Sequence, residues 1–386
     1  MSQSESQVLV LFNIKHPYDR KIVDGILDAM HNSNRNLQLT FMTHDEALLV
    51  AHDQVWDAVI ADFDRPLNIE LCATLQAPVV ALVSNQHNVP NLQLSHLLYL
   101  ALDTERLCTL ARDHLIACGV IRFGYFAGMA DEIGFWAHER REIFKRLVLE
   151  AGYEWLGDFV THNIRPFLAV GLPTRTGFLC ASDTQARQLI TLALNLGIDV
   201  PGTTAIIGID NDDIENQLSP VPISTVTIDP YVLGEKAFAA LLNLHNSKSF
   251  SIQLIEPGAV MNRLSAYLDI SDDPLVTNAL KYIYRHYHRP INAEQVIAEC
   301  KTSRNTLESH FKKALGKTIH QALHDVRMEK AKDLLKNSNK SIEDVALHCG
   351  LSSAQYLYYL FRKEEGMTPK NYRDMKLSTG DSMTEL

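Results

Sequence analysis

Residues 342–368, IEDVALHCGLSSAQYLYYLFRKEEGMT, read as a short helix, a tight turn and a second helix. Ile342, Val345 and Ala346 give the first helix an apolar face, and Ala346 is small enough for a second helix to cross closely. The turn is Cys349-Gly-Leu-Ser352. Gly350 is free to take a positive φ, and Ser352 is placed to cap the next helix. The second helix, Ser353–Lys363, turns Leu357, Leu360 and Phe361 inward and Ala354, Gln355, Tyr358, Tyr359 and Arg362 outward. The same unit occurs earlier: Leu307, Phe311, Gly316 and Thr318 recur fifty residues on as Leu357, Phe361, Gly366 and Thr368. In that copy Val296 and Ile297 precede the turn Cys300-Lys-Thr-Ser303. Helix Arg304–Leu315 comes next, with Arg304, Asn305, Glu308, Ser309 and Lys312 outward. Between the copies, Ile319–Asn337 reads as one long helix with Ile319, Leu323, Val326, the Lys330 stem and Leu334 on a stripe. Two copies mean two similar modules joined by a connecting helix.

A helix-turn-helix lays its second helix in the DNA major groove, where polar side chains near its N-terminus reach base edges. The expected contacts are therefore Arg304, Asn305, Glu308, Ser309 and Lys312 in one unit and Ser353, Gln355, Tyr358, Tyr359 and Arg362 in the other. The plainer alternative is two helical hairpins in a protein–protein domain. The duplication, the polar outward faces and the charge together weigh against it. The whole chain carries −10, but residues 274–386 hold 18 Lys+Arg against 13 Asp+Glu, and ending the count at Lys376 gives a local +7. Residues 1–273 carry −15. Such asymmetry points to a different partner for each part.

The acidic part alternates short apolar runs with helical periods. The runs are Gln7–Asn13, Leu37–Met42, Asp57–Ala61, Pro78–Val83, Leu97–Leu102, Arg122–Ala127, Gly177–Ser182 and Thr204–Ile209. They do not alternate cleanly, as expected of strands buried on both faces. Helical periods include Ile22–Met30, Leu107–Cys118, Phe135–Ala151 and Asp183–Leu196, with Gly119, Gly152 and Gly197 at C-cap positions. Alternating β and α implies parallel sheets, and this length implies two lobes. Ser271-Asp-Asp-Pro274 breaks the pattern, and only helices come after it. The expected division is 1–270, in two lobes; 274–376, with units at about 292–313 and 342–363; and a frayed tail, 377–386.

Several classes are excluded. No run approaches 18 apolar residues, the N-terminus lacks a basic signal-peptide region, and the six cysteines form no CxxC. The expectation is a cytoplasmic protein without membrane contact, metal or cofactor. No catalytic motif is present: Gly316-Lys-Thr318 lacks the first glycine of a P-loop, and His138–Glu142 lacks the second histidine of a zinc-protease helix. Polar residues do gather at strand ends: Asp62, Asp103, Asp183, Asp210, and Tyr18-Asp19-Arg20 after the first strand. Ligands of open α/β sheets sit there. Carboxylates accept from hydroxyls, and an aromatic ring covers C–H faces. Trp136 and Arg140, one helical turn apart, complete a monosaccharide site. Each residue alone is more simply a helix cap or a core side chain; the set carries the reading. Two carboxylates about a sugar also admit a sugar-modifying enzyme with a fused helical domain.

Residues 278–376 resemble the DNA-binding domain of AraC-type transcription activators through the stretch Asp344–Arg373. Lys301 stands where those proteins usually have glycine. Glu308 and Ser309 replace their common base readers, so the first unit is expected to lean towards phosphate. Residues 7–265 are similar to the sensor of LacI/GalR-type repressors, through Asp57–Asp62, Ala181-Ser-Asp183 and Ile207–Asn211. The resemblance implies a two-lobed, periplasmic-binding-protein-like domain followed by an all-α double helix-turn-helix domain. It implies a pentose effector, D-xylose foremost, with hydroxyls held by Asp183, Asp210 and Arg140. Trp136 would stack on the sugar, Tyr18, Asp19 and Arg20 would close over it, and Asp62 would stand beside it. It further implies a homodimer on promoter direct repeats that activates with RNA polymerase; a sugar-controlled repressor is the alternative.

Overall fold

The computed structural model describes residues 6–33, 35–84, 89–90, 92, 94–129, 135–172, 175–244, 250–267, 273–337 and 340–378. The chain begins with β1 (Ser6–Leu11), α1 (Pro17–Asn32), β2 (Leu37–Met42), α2 (His44–Val50), β3 (Ala58–Asp62), α3 (Pro66–Leu75), β4 (Val79–Val83) and β5 (Leu97–Leu102). It continues through α4 (Thr104–Ala117), β6 (Arg122–Phe126), α5 (Phe135–Glu150), β7 (Glu154–Phe159), α6 (Thr161–Ala169), β8 (Thr176–Cys180), α7 (Asp183–Asn195), β9 (Thr204–Asp210), α8 (Asp213–Leu218) and β10 (Ser224–Thr227). It then returns through α9 (Pro230–Leu242) and β11 (Phe250–Ile255) and crosses again to β12 (Val260–Met261).

Two six-stranded sheets result, ordered β11-β5-β4-β3-β1-β2 and β12-β10-β9-β8-β6-β7, and every strand pair is parallel except β10 with β12. The chain therefore passes between the lobes at 102–104, 227–230 and 255–260. Each sheet is covered on both faces. In the first lobe Val8 and Val10 meet α1 and α9, while Leu9 and Leu11 meet α2 and α3. In the second, Leu179 and Ala181 face α4 and α5, while Phe178 and Cys180 face α7. Burial on both faces explains why these strands read as unbroken apolar runs. Four strands carried no such signal. β7, β11 and β12 lie at sheet edges, and β10 is the polar run Ser-Thr-Val-Thr. All six cysteines are free thiols.

From Pro274 the elements among the described residues are all helices: α10 (Pro274–His286), α11 (Ala293–Glu299), α12 (Arg304–Leu315), α13 (Ile319–Asn337), α14 (Ile342–His348), α15 (Ala354–Glu364) and α16 (Pro369–Ser378). The last helix runs two residues into the expected tail, whose residues 379–386 lie outside the described ones. α11–α12 and α14–α15 are the two helix-turn-helix units. Asn292 and Gln295 form a capping box on α11, and Ser303, Ser341 and Ser353 cap α12, α14 and α15. The cap of α15 is thus Ser353, not Ser352, and Ala354 is buried at 9% exposure. At the two turns, Gly350 has φ +66 and Lys301 φ +49. A Cβ at Gly350 would meet the Tyr287 carbonyl oxygen at 2.1 Å, so this turn requires glycine twice over. Lys301 has to bear the strained conformation, at a cost of about 1 kcal/mol.

The first unit is not separate from the sensor. One apolar cluster runs from Phe178, Leu189 and Ile190 of the second lobe through Leu280 and Ile283 of α10 to Leu307 and Phe311 of α12. The second unit has its own cluster, with Val345, Leu357 and Phe361. α13 serves both: Ile319, Leu323 and Val326 enter the first cluster, and Met328, Ala331 and Leu335 the second.

Candidate functional site

The carboxyl ends of both sheets face a cleft of about 2360 Å³ between the lobes, which continues past residues 256–262 to α13. Tyr18 and Asp19 come from the start of α1, and Asp62, Asp64 and Arg65 lie at and just after the end of β3. Trp136 and Arg140 project from α5 of the other lobe, and Asp210 ends β9. Arg140 is 6% exposed. One of its terminal nitrogens donates to the Ala181 carbonyl at 2.7 Å, and its guanidinium lies 4.7 Å from the Trp136 ring centroid. Its charge acts on Tyr18 and Asp64 of the first lobe and on Asp210 of its own. Lys21 of α1 also lines the cleft and acts across it on Asp210.

The acids are held against solvation. Asp62 accepts from Arg65 Nε at 2.9 Å, while Asp64 accepts from the Ser84 amide at 2.9 Å and its hydroxyl at 2.6 Å. Asp19 accepts from the Asn13 amide at 3.0 Å and lies 3.6 Å from Arg65. Burial, reinforced by Asp64 and Asp19, pushes the Asp62 pKa up to about 7. Burial pushes Asp210 up to about 6 against the pull of Arg140, and Glu139 up to about 7. The Tyr18 hydroxyl is raised by burial and then by Asp210. Asp210 and Asn211 have φ +104 and +58, conformations that cost non-glycine residues of order 1–3 kcal/mol each and commonly mark functional positions.

These shifts make stability depend on pH. A carboxyl whose folded pKa is raised contributes stability that is complete below its unfolded value and lost as pH rises through the folded one. For Asp62 that window runs from its ordinary 3.8 to about 7. Asp62→Asn should therefore leave the melting temperature of the unliganded protein nearly unchanged at pH 3.5. It should exceed wild type by a gap that opens between pH 4 and 7 and then stays constant. Scanning calorimetry across that range checks it; parallel curves would mean that Asp62 is not held in a charge-averse setting.

Two of the expected residues lie elsewhere. Asp183 is 1% exposed and turned inward: it accepts from the Asp212 amide at 2.8 Å and so supports the loop after β9 from below. Arg20 is exposed and does not line the cleft. Asp103 caps α4 through the Arg106 amide. Conversely, sequence reasoning passed over Asp64, Arg65 and Glu139. Asp64 carried a signal, since it lies two residues beyond Asp62 at the same strand end.

The loop after β9 links the cleft to the helices. Asn211 donates from its amide nitrogen to Asp333 of α13 at 3.1 Å and accepts from Arg263 at 2.6 Å. Lys330 of α13 reaches Asp213 at 2.6 Å and Asp333 at 2.7 Å. Burial alone would lower the Lys330 pKa, but Asp333 and Asp213 hold it above its usual value.

On the helical part, Arg304, Asn305, Ser309 and Lys312 are exposed on α12, as are Gln355, Tyr359 and Arg362 on α15. Arg304 pairs with Glu294, and Glu308 accepts from the Ile319 amide at 3.3 Å. Ser353 is engaged as a cap, and Tyr358 is half-buried. Among the described residues there is no group of three or more His, Cys, Asp or Glu placed to hold a metal ion, and no helix is long and apolar enough to cross a membrane.

Three family models match the chain: an XylR N-terminal domain over residues 7–105, a periplasmic binding protein-like domain over 112–266, and a helix-turn-helix domain over 297–375. The xylose operon regulatory protein of Escherichia coli (strain K12) is 31% identical over 97% of this chain and 98% of its own length. That of Haemophilus influenzae is also 31% identical, over 97% and 99%. A solved structure of the xylose-binding transcription activator xylR superposes with a TM-score of 0.66 at 30% identity, covering 97% of this chain and 99% of that one. A lac repressor dimer bound to operator shares the fold of the sensor part, with a TM-score of 0.56 at 16% identity over 69% of this chain.

Proposed function

Because the chain belongs to the family of xylose operon regulatory proteins, we propose that it is a cytoplasmic, D-xylose-responsive activator that reads promoter DNA with its two helix-turn-helix units. Its full-length relatives are transcription regulators, which sets aside the sugar-modifying enzyme. The observation that carries the proposal is the loop after β9. Asp210 at its start lines the cleft, and Asn211 and Asp213 behind it bond α13, which holds both units. A sugar that draws the lobes together acts on this loop and through it on the spacing of the reading helices.

In this reading the pentose lies between Trp136 and Tyr18. Its hydroxyls donate to Asp62, Asp64 and Asp210, its oxygens accept from Arg140, and the Trp136 face covers its C–H groups. Asp19 anchors Arg65 at the rim. The Asp183 carboxylate serves by fixing the loop, and Arg20 by surface charge alone. The sugar shifts the equilibrium only by its preference for the closed form. Residues 1–270 then sense and residues 274–376 read. A homodimer presents Arg304, Asn305, Lys312, Gln355, Tyr359 and Arg362 to direct repeats, beside RNA polymerase.

Calorimetric titration of the purified chain with D-xylose, L-arabinose, D-ribose and D-galactose tests the sensor. D-Xylose should give saturable heat and bind tightest. If none of the four binds, the sugar-sensing reading fails.

A further inference from the structure

We infer that the second helix-turn-helix unit selects thymine by its C5-methyl group, through Tyr356 and Tyr359 of α15, and that the first unit does not. The inference rests on the DNA-binding reading above and refines it. Tyr356 is 39% exposed and Tyr359 56%, on the side of α15 opposite the packed Leu357, Leu360 and Phe361. Their rings stack, with centroids 6.2 Å apart and planes 17° from parallel, and the Lys363 ammonium lies 5.9 Å from the Tyr359 ring. They stand in the first two turns of the helix, where a recognition helix meets base edges. Two adjacent exposed rings on an otherwise polar helix face mark a contact surface. Arg362 and Lys363 beside them give it the charge that fits a nucleic acid.

The apolar feature on the major-groove edge of the four bases is the thymine methyl. Stacked rings offer it a flat apolar wall. Gln355, exposed one residue earlier, carries the amide that pairs with adenine N6 and N7, so the face as a whole suits an A·T step. The internal repeat makes the contrast. Tyr356 and Tyr359 occupy the positions of Thr306 and Ser309 in the first unit. There the Thr306 and Ser303 hydroxyls bond each other at 2.7 Å, and Glu308, in the place of Tyr358, accepts from the Ile319 amide. On its outward face α12 carries no aromatic ring, since Phe311 is buried and His310 bonds Asp273, so the two units present chemically different surfaces.

The test uses the full chain and the duplexes it selects from a randomised pool. Each thymine of the selected site is replaced in turn by deoxyuridine, which removes only the methyl. At one or two positions wild type should bind the uracil duplex about fourfold more weakly, the worth of one buried methyl. The pair Tyr356→Ser and Tyr359→Ser, which leaves small hydroxyls and no apolar wall on an exposed surface, should bind both duplexes alike. Tyr359→Phe should keep the discrimination. The inference is overturned if wild type binds every uracil duplex as well as its thymine parent, or if the doubly substituted protein still discriminates. It is also overturned if Tyr359→Phe abolishes the difference between the two duplexes, since the hydroxyl and not the ring would then be setting it. A pool from which no sequence is enriched overturns the DNA-binding reading itself, and this inference with it.

Discussion

Arg140→Met is expected to abolish measurable D-xylose binding while leaving a folded protein. Arg140 is 6% exposed, and its charge acts on Asp210 of its own lobe and on Asp64 of the other. Methionine keeps most of the apolar stem, so packing against Trp136 is largely retained. The substitution removes the charge that balances the acids and the donors a sugar oxygen needs. Removing one partner of a buried charged contact costs about 2–5 kcal/mol, which is roughly 30- to 5000-fold in affinity. Two further consequences separate this from misfolding. The Asp210 pKa, now pulled down by Arg140 against the effect of burial, should rise above its present value of about 6. The melting transition in the absence of sugar should stay cooperative. Titration calorimetry reads the loss of binding; retention of wild-type affinity would remove Arg140 from the site.

The second large effect is expected far from the sugar. Lys330→Met should destabilise the protein by about 3–5 kcal/mol, because it removes the cation paired with a buried carboxylate. The Asp333 side chain is 3% exposed and that of Lys330 14%. With the ammonium gone, Asp333 keeps the Asn211 amide on the loop after β9. The double substitution Lys330→Met, Asp333→Leu should recover most of that loss, since an apolar pair of similar volume substitutes well for a buried ion pair. It should not recover communication, because the bonds that join Asn211 to Asp333 and Asp213 to Lys330 are then both lost. Denaturant unfolding gives the stabilities, and DNA affinity with and without sugar gives the communication. A doubly substituted protein as responsive as wild type would show that the β9 loop is not the link.

Burial decides how much of the fold was legible in the sequence. β5, β8 and β9 lie between helix layers and show as apolar runs, whereas β7 and β11 sit at sheet edges and mix polar residues into theirs. The helix-turn-helix copies were legible because each repeats a cap, a turn residue with positive φ and an inward Leu and Phe. The cleft was half legible. An aspartate at a strand end is visible, but its direction is not. Asp183 and Asp210 look alike in sequence; Asp210, at φ +104, lines the cleft, while Asp183 turns under the loop. The Asn211–Asp333 bond was out of reach, because it joins residues 122 positions apart on two elements whose packing no local pattern encodes.

The central claim is that one sugar changes the grip of this protein on DNA. It is tested most directly by fluorescence anisotropy of the full chain with a duplex it selects, at fixed salt, with and without saturating D-xylose. D-Xylose should shift the Kd at least fivefold, the low end of ordinary coupling between two sites. By reciprocity, the DNA should shift D-xylose affinity by the same factor. D-Xylose that binds the protein yet leaves the DNA Kd unchanged would contradict it.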